Sequence, residues 1–200
     1  MPISSLEGLP LLAMLRRRLA IFAVLFAALT PLSAHAITGQ KFLAQAAKAN
    51  WIAEGQGARV VYVIFDPNCP YCHVVYTESQ AHLKNVQFRW LPVAILTPTS
   101  LGKAAALLQA KDPVAALREN ENKFVSARGK LGGIVPVTHI EAATNAKLRE
   151  NDRLLQLTGG QMVVPKIFFL GKDGKVHMIE GALSGPDLSN TLQEVAASRP

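Results

Sequence analysis

Val60-Val61-Tyr62-Val63-Ile64-Phe65-Asp66-Pro67-Asn68-Cys69-Pro70-Tyr71-Cys72 is the stretch on which the fold turns. Its first six residues are β-branched, aromatic or aliphatic, with no polar break. Such a run reads as a strand buried on both faces, and therefore as part of a sheet covered by helices. Asp66-Pro67-Asn68 ends the strand, and a helix is expected from the first cysteine to about Leu83. Residues three apart on a helix are neighbours, within the span that a disulfide needs. Cys69 then stands at the helix N-terminus, where unpaired N–H groups and the helix dipole favour thiolate over thiol. In Cys-X-X-Cys sites of this kind the first cysteine can reach a pKa of about 3.5–7. Cys72 lies one turn inward and is expected to be more buried and less ionised. The roles follow: Cys69 attacks or is attacked, and Cys72 resolves the mixed disulfide. Pro70 stiffens the first turn and Tyr71 lines the rim. His73 either adds positive charge near the site or is a plain exposed helix residue.

The chain has only these two cysteines among 200 residues. A disulfide this local closes a tiny loop and removes little chain entropy, so a purely structural bridge is disfavoured. Structural zinc needs about four ligands, and two cysteines with scattered histidines do not supply them; no metal and no cofactor is expected. One metal alternative stands: a copper carrier using Cys69, Cys72 and His73, since Cu(I) accepts soft ligands.

Upstream, Arg16-Arg17-Arg18, the apolar run Leu19 to Leu32 and Ala34-His35-Ala36 stand in the order of a cleavable secretory signal peptide. Residues 1–36 are read so, with Met14 an alternative start to Met1. A retained anchor is disfavoured because a spanning helix needs about 20 apolar residues, whereas this run is shorter and contains Pro31. The formal net charge is +7. Beyond the signal segment Lys and Arg are scattered, without runs or interleaved aromatics, so a solvated basic surface is read and no nucleic-acid partner.

Downstream, Thr38 is read as capping a helix from Gly39 to Trp51, with Phe42, Leu43, Ala46 and Trp51 as buried positions. Val86 to Val93 is a second strand. The stretch of about 98–160 reads as a helical insertion. Ser100 is expected to cap one of its helices and Asp112 the next, with Pro113 at the first position. Thr138-His139-Ile140-Glu141 reads as a capping box for a helix reaching about Thr158. Lys166 to Leu170 and Val176 to Ile179 form a hairpin around Gly171-Lys172-Asp173-Gly174. Ser184 opens a last helix to about Ala197. The expected class is α/β, a central mixed sheet flanked by helices and carrying a helical insertion.

Phe65 to His73 resembles the active-site segment of the DsbC/DsbG family of periplasmic disulfide isomerases and reductases. Asn50-Trp51-Ile52-Ala53-Glu54-Gly55 is similar to the end of the linker helix before the catalytic domain there. Leu148 to Gly159 and Val164-Pro165 resemble the end of the insertion and the loop after it. Cys-Pro-Tyr-Cys alone is shared with glutaredoxins, which the export signal, the length and the insertion disfavour. The resemblance implies a thioredoxin fold with Pro165 cis, a linker helix over 37–56 and a catalytic domain over 57–200. It also implies that the Val164 backbone pairs with a substrate strand, while Pro165 keeps a backbone N–H away from the sulfur. Exported proteins with disulfides or sulfenylated cysteines are the implied clients, with a membrane electron donor similar to DsbD. Two departures matter. Only about 20 residues separate Ala36 from Gly57, too few for the family's dimerisation domain, so a monomer is expected. Val164 stands where the family usually has Thr and the DsbA oxidases have Val, which leaves a DsbA-like oxidase with a DsbB-like partner open.

Overall fold

A computed structural model describes residues 39–125, 131–183 and 185–197. The expected signal segment, the Thr38 cap and Ser184 lie outside the described residues. In chain order the elements are α1 (Gly39–Ala46), β1 (Ile52–Glu54), β2 (Arg59–Phe65), α2 (Pro70–Ser79) with a 3₁₀ turn at Gln80–His82, and β3 (Val86–Pro92). Then come α3 (Ser100–Gln109), α4 (Pro113–Asn122), α5 (Ala142–Leu157), β4 (Lys166–Leu170), β5 (Val176–Glu180) and α6 (Gly185–Glu194).

The five strands form one sheet in the order β1-β3-β2-β4-β5. The β2–β3 pair is parallel and the other three are antiparallel. Five consecutive residues of β2, Val61 to Phe65, are buried, as a central strand covered on both faces requires. Tyr62 and Phe65 are three apart, so the alternation of a strand sends them to opposite faces. On one face Phe168 stacks on Tyr62 and meets Phe42 of α1 edge-on at 4.8 Å. On the other, Phe65 and Tyr76 of α2 pack against Trp90 at 5.7 and 5.4 Å. The fold is thioredoxin-like, with α3, α4 and α5 as its insertion. Helix α4 packs on α2 and β1, and α5 packs on β3 and α1, so the insertion is built onto the core.

Four local expectations need correction. The helix expected to reach Trp51 ends at Ala46. Asn151 of α5 binds both backbone groups of Asn50, donating to its carbonyl at 2.9 Å and accepting its N–H at 3.1 Å, and these bonds replace helical ones. Ile52–Glu54 is therefore an edge strand paired with Trp90 to Phe88, where a linker helix was expected. Ser100 does not cap α3; it is the helix's first residue, and its hydroxyl donates to Asp66 at 2.8 Å. The capping box is not formed, because α5 starts at Ala142 and the Glu141 N–H goes to Gln109.

Candidate active site

Cys69 is the N-cap of α2 and Pro70 opens the helix. The cap has extended dihedrals, φ −85° and ψ 114°, and its sulfur accepts the Cys72 N–H at 3.2 Å. A sulfur therefore does what a serine or aspartate oxygen does at other helix starts. Proline costs nothing at this position, because its missing N–H would have been unpaired there.

The two thiols are free, and Cys72, one turn inward, is the more deeply buried, as expected. Cys69 is nevertheless covered, with 3% of it exposed. The reason is the loop before β4, where the Val164 carbonyl accepts from the Cys69 thiol at 3.6 Å and covers it. The ionisation asymmetry survives. Hydrogen bonding from the Cys72 thiol, with the backbone N–H groups of Cys72 and Tyr71 adding to it, holds Cys69 below the ordinary thiol value against an opposing effect of burial. Burial pushes Cys72 well above that value, and its thiol is further held protonated by donating to Cys69.

The Val164–Pro165 peptide is cis. Val164 and Pro165 are buried, and the Pro165 carbonyl accepts the Gly181 N–H at 2.9 Å. Pro70 and Tyr71 stand on the outer side of the helix start, Tyr71 at 66% exposed. His73 is half-buried, where a plain exposed helix residue was one of the two expectations. Its Nδ1 meets the buried carboxylate of Glu121 at 2.9 Å, and its ring stacks on Phe124 at 4.4 Å. It ties the active-site helix to α4, and any charge it carries faces a carboxylate. Among the described residues no group of three or more His, Cys, Asp or Glu is placed to hold a metal ion.

Sequence reasoning gave no role to the buried polar groups behind the loop. Asp66 accepts from the Asn68 N–H and the Ser100 hydroxyl with one oxygen, and from the Ile95 and Leu96 N–H groups with the other, all at 2.8–3.0 Å. Lys103 is 8% exposed and donates to the Asn68 carboxamide at 2.7 Å and to the Gly132 carbonyl. Asn120 donates to the Pro67 carbonyl at 3.0 Å. The only hint in the sequence is Lys103 itself, a lysine inside an otherwise small and apolar helix.

A dithiol on a thioredoxin-like fold, one sulfur ready to ionise and one held protonated, defines a class of protein. Residues 47–196 match the family model of the thioredoxin-like domain, and the chain belongs to that family. Within it the chain is similar to the thiol:disulfide interchange protein DsbG of Pseudomonas aeruginosa, 35% identical over 71% of this chain and 55% of the relative. The DsbG of Escherichia coli is 28% identical over 74% of this chain and 58% of its own length. The chain thus spans little more than half the length of these curated relatives. Among solved structures, ScsC of Proteus mirabilis in a compact conformation aligns with a TM-score of 0.62 at 16% identity, covering 91% of this chain and 94% of that one. At that identity the likeness shows the fold alone.

Proposed function

We propose that the protein is a periplasmic thiol:disulfide oxidoreductase of the DsbG/DsbC kind, acting as a reductase or isomerase on exported proteins with disulfides or oxidised cysteines. The observation that carries this reading is the sulfur of Cys69 at the N-cap of α2, accepting the Cys72 N–H at 3.2 Å. The similarity to DsbG supports the client class, and the signal-like pattern of residues 16–36 supports export.

In the reductive direction the Cys69 thiolate attacks a client disulfide. A Cys69–client S–S bond forms, the client S–S bond breaks, and one client sulfur leaves as thiolate and takes a proton. Cys72 then loses its proton and attacks the Cys69 sulfur. The Cys69–Cys72 bond forms and the second client thiol is released, so two electrons and two protons have passed to the client. Proton loss from Cys72 is opposed by burial, so it belongs to the second step, once Cys69 is bonded to a client. Val164 and Pro165 border the attacking sulfur, and the Val164 backbone is the edge on which a client strand is proposed to align. Pro70 and Tyr71 form the rim of this surface. A membrane dithiol donor similar to DsbD would restore the reduced pair, and the protein is proposed to act as a monomer.

The test is the redox state of Cys69 and Cys72 in cells, read by acid quenching and alkylation of free thiols. A mainly reduced pool supports the reductase. Val164 is the one residue that favours the opposite direction, and a wholly oxidised pool would make the protein a DsbA-like oxidase served by a DsbB-like partner. Loss of insulin reduction in Cys69→Ala, with no Cu(I) affinity in the reduced wild type, separates either from a copper carrier.

A further inference from the structure

The residue immediately before the attacking cysteine is held more completely than turn formation requires. Asn68 is 1% exposed. Its backbone N–H goes to Asp66 at 2.8 Å, and its carboxamide nitrogen reaches the hydroxyls of Thr97, Thr99 and Ser100 at 2.7, 3.0 and 3.2 Å. Its carboxamide oxygen accepts from the Lys103 ammonium at 2.7 Å. Lys103 spends a second N–H on the Gly132 carbonyl. Gly132 permits that approach, because a Cβ there would collide with the Pro67 carbonyl and the Asn120 carboxamide. Burying an ammonium is costly unless its donors are used, and Lys103 uses its donors to join the insertion to the active-site loop.

We infer that Lys103 is a positioning residue for the exchange reaction: from the helical insertion it fixes the Asn68 side chain, and through it the backbone that sets Cys69 at the N-cap of α2. The inference rests on the dithiol reading above and deepens it. Asn68 and Cys69 are joined by one peptide bond, and the Cys69 N–H is itself held by the Asp66 carbonyl at 2.9 Å. If residue 68 is free to rotate, the sulfur leaves the line of the Cys72 N–H, and the thiolate loses hydrogen bonds that favour it. Among the described residues Asp66 is the carboxylate that acts on this ammonium, and its charge opposes the effect of burial on Lys103.

The experiment follows alkylation of Cys69 by iodoacetamide against pH, resolved by peptide mass spectrometry, in reduced wild type, Lys103→Met, Asn68→Ala and the double variant. Each single variant is expected to move the midpoint upward by about half a pH unit or more, a roughly threefold slower reaction at acid pH. The double variant should move no further than the larger single effect, because both changes release the same side chain. A Lys103→Met midpoint equal to wild type overturns the inference, as does a double variant whose shift is the sum of the two. If Lys103→Met or Asn68→Ala does not fold, Thr97→Val with Thr99→Val loosens the same carboxamide from its more exposed side. Folded protein with an unmoved midpoint then overturns it equally. Alkylation does not depend on turnover, so a wild type that fails to reduce insulin would count against the proposed function and leave this result separate.

Discussion

Two helices in this protein begin in the same way and serve different ends. Helix α2 opens with Cys69-Pro70 and α4 with Asp112-Pro113. Both caps have extended backbones, both put proline first, and both accept the N–H three residues on, at 3.2 Å to sulfur and 3.0 Å to oxygen. At Asp112, which is exposed, the arrangement does no more than start a helix. At Cys69 the same donors fall on a titratable sulfur beneath the Val164 carbonyl. Capping at one end stabilises a helix, and at the other it also stabilises a thiolate. What separates them is the element on the cap and the loop that covers it.

The comparison can be broken most sharply at the cysteine. Cys69→Ser keeps a good capping group, so the helix should survive with a stability change of less than about 1 kcal/mol. Insulin reduction driven by dithiothreitol should fall to the uncatalysed rate. Residual Cys69-independent turnover would mean that the cap is not the reacting group.

A second test reads both sulfurs through stability. Folding lowers the Cys69 pKa, so between that value and the ordinary 9.0 the unfolded chain binds the extra proton, and the reduced protein should gain stability as pH rises. Folding raises the Cys72 pKa, so above 9.0 the sign reverses and stability is lost with further rise. Tm of the reduced protein against pH should therefore climb below 9 in a way that Cys69→Ser abolishes. A profile unchanged by that substitution would contradict the asymmetry.

The third prediction isolates the other cap. Asp112→Ala should cost about 1 kcal/mol by urea denaturation, with the insulin-reduction rate unaltered. A parallel fall in rate would mean that α4 carries more of the site than its contacts with α2 imply. The smallest effect is expected at Glu121, whose charge is the last and weakest of the influences raising Cys72. Glu121→Gln should lower the pH at which Cys72 ionises slightly, seen as thiolate absorbance in a Cys69→Ser background. A rise would reverse its assigned influence.

Much of this was legible in the chain, and what was missed has a common cause. The run from Val60 to Phe65 announced a central strand because burial on both faces leaves no polar residue in it. Asp112-Pro113 was readable as a helix start because cap and proline are neighbours in sequence. Asn50 was not readable as a helix end, since the group that takes its backbone bonds is Asn151. Thr138 to Glu141 had the letters of a capping box, yet the Glu141 N–H found Gln109. At the site, Cys69 and Cys72 were evident from local spacing. Lys103 reaches Asn68 from 35 positions away, and the His73–Glu121 contact spans 48. Local patterns record local bonds, and long-range capture of a backbone or side-chain group leaves no mark in them.

The measurement that bears most directly on the account is the pH dependence of alkylation at each cysteine of the reduced wild-type protein, resolved by peptide. The account predicts that Cys69 reacts with a midpoint clearly below the ordinary thiol value of 9.0 and Cys72 with one above it. Two midpoints that coincide, or a Cys69 that ionises no more readily than a free cysteine, would contradict it.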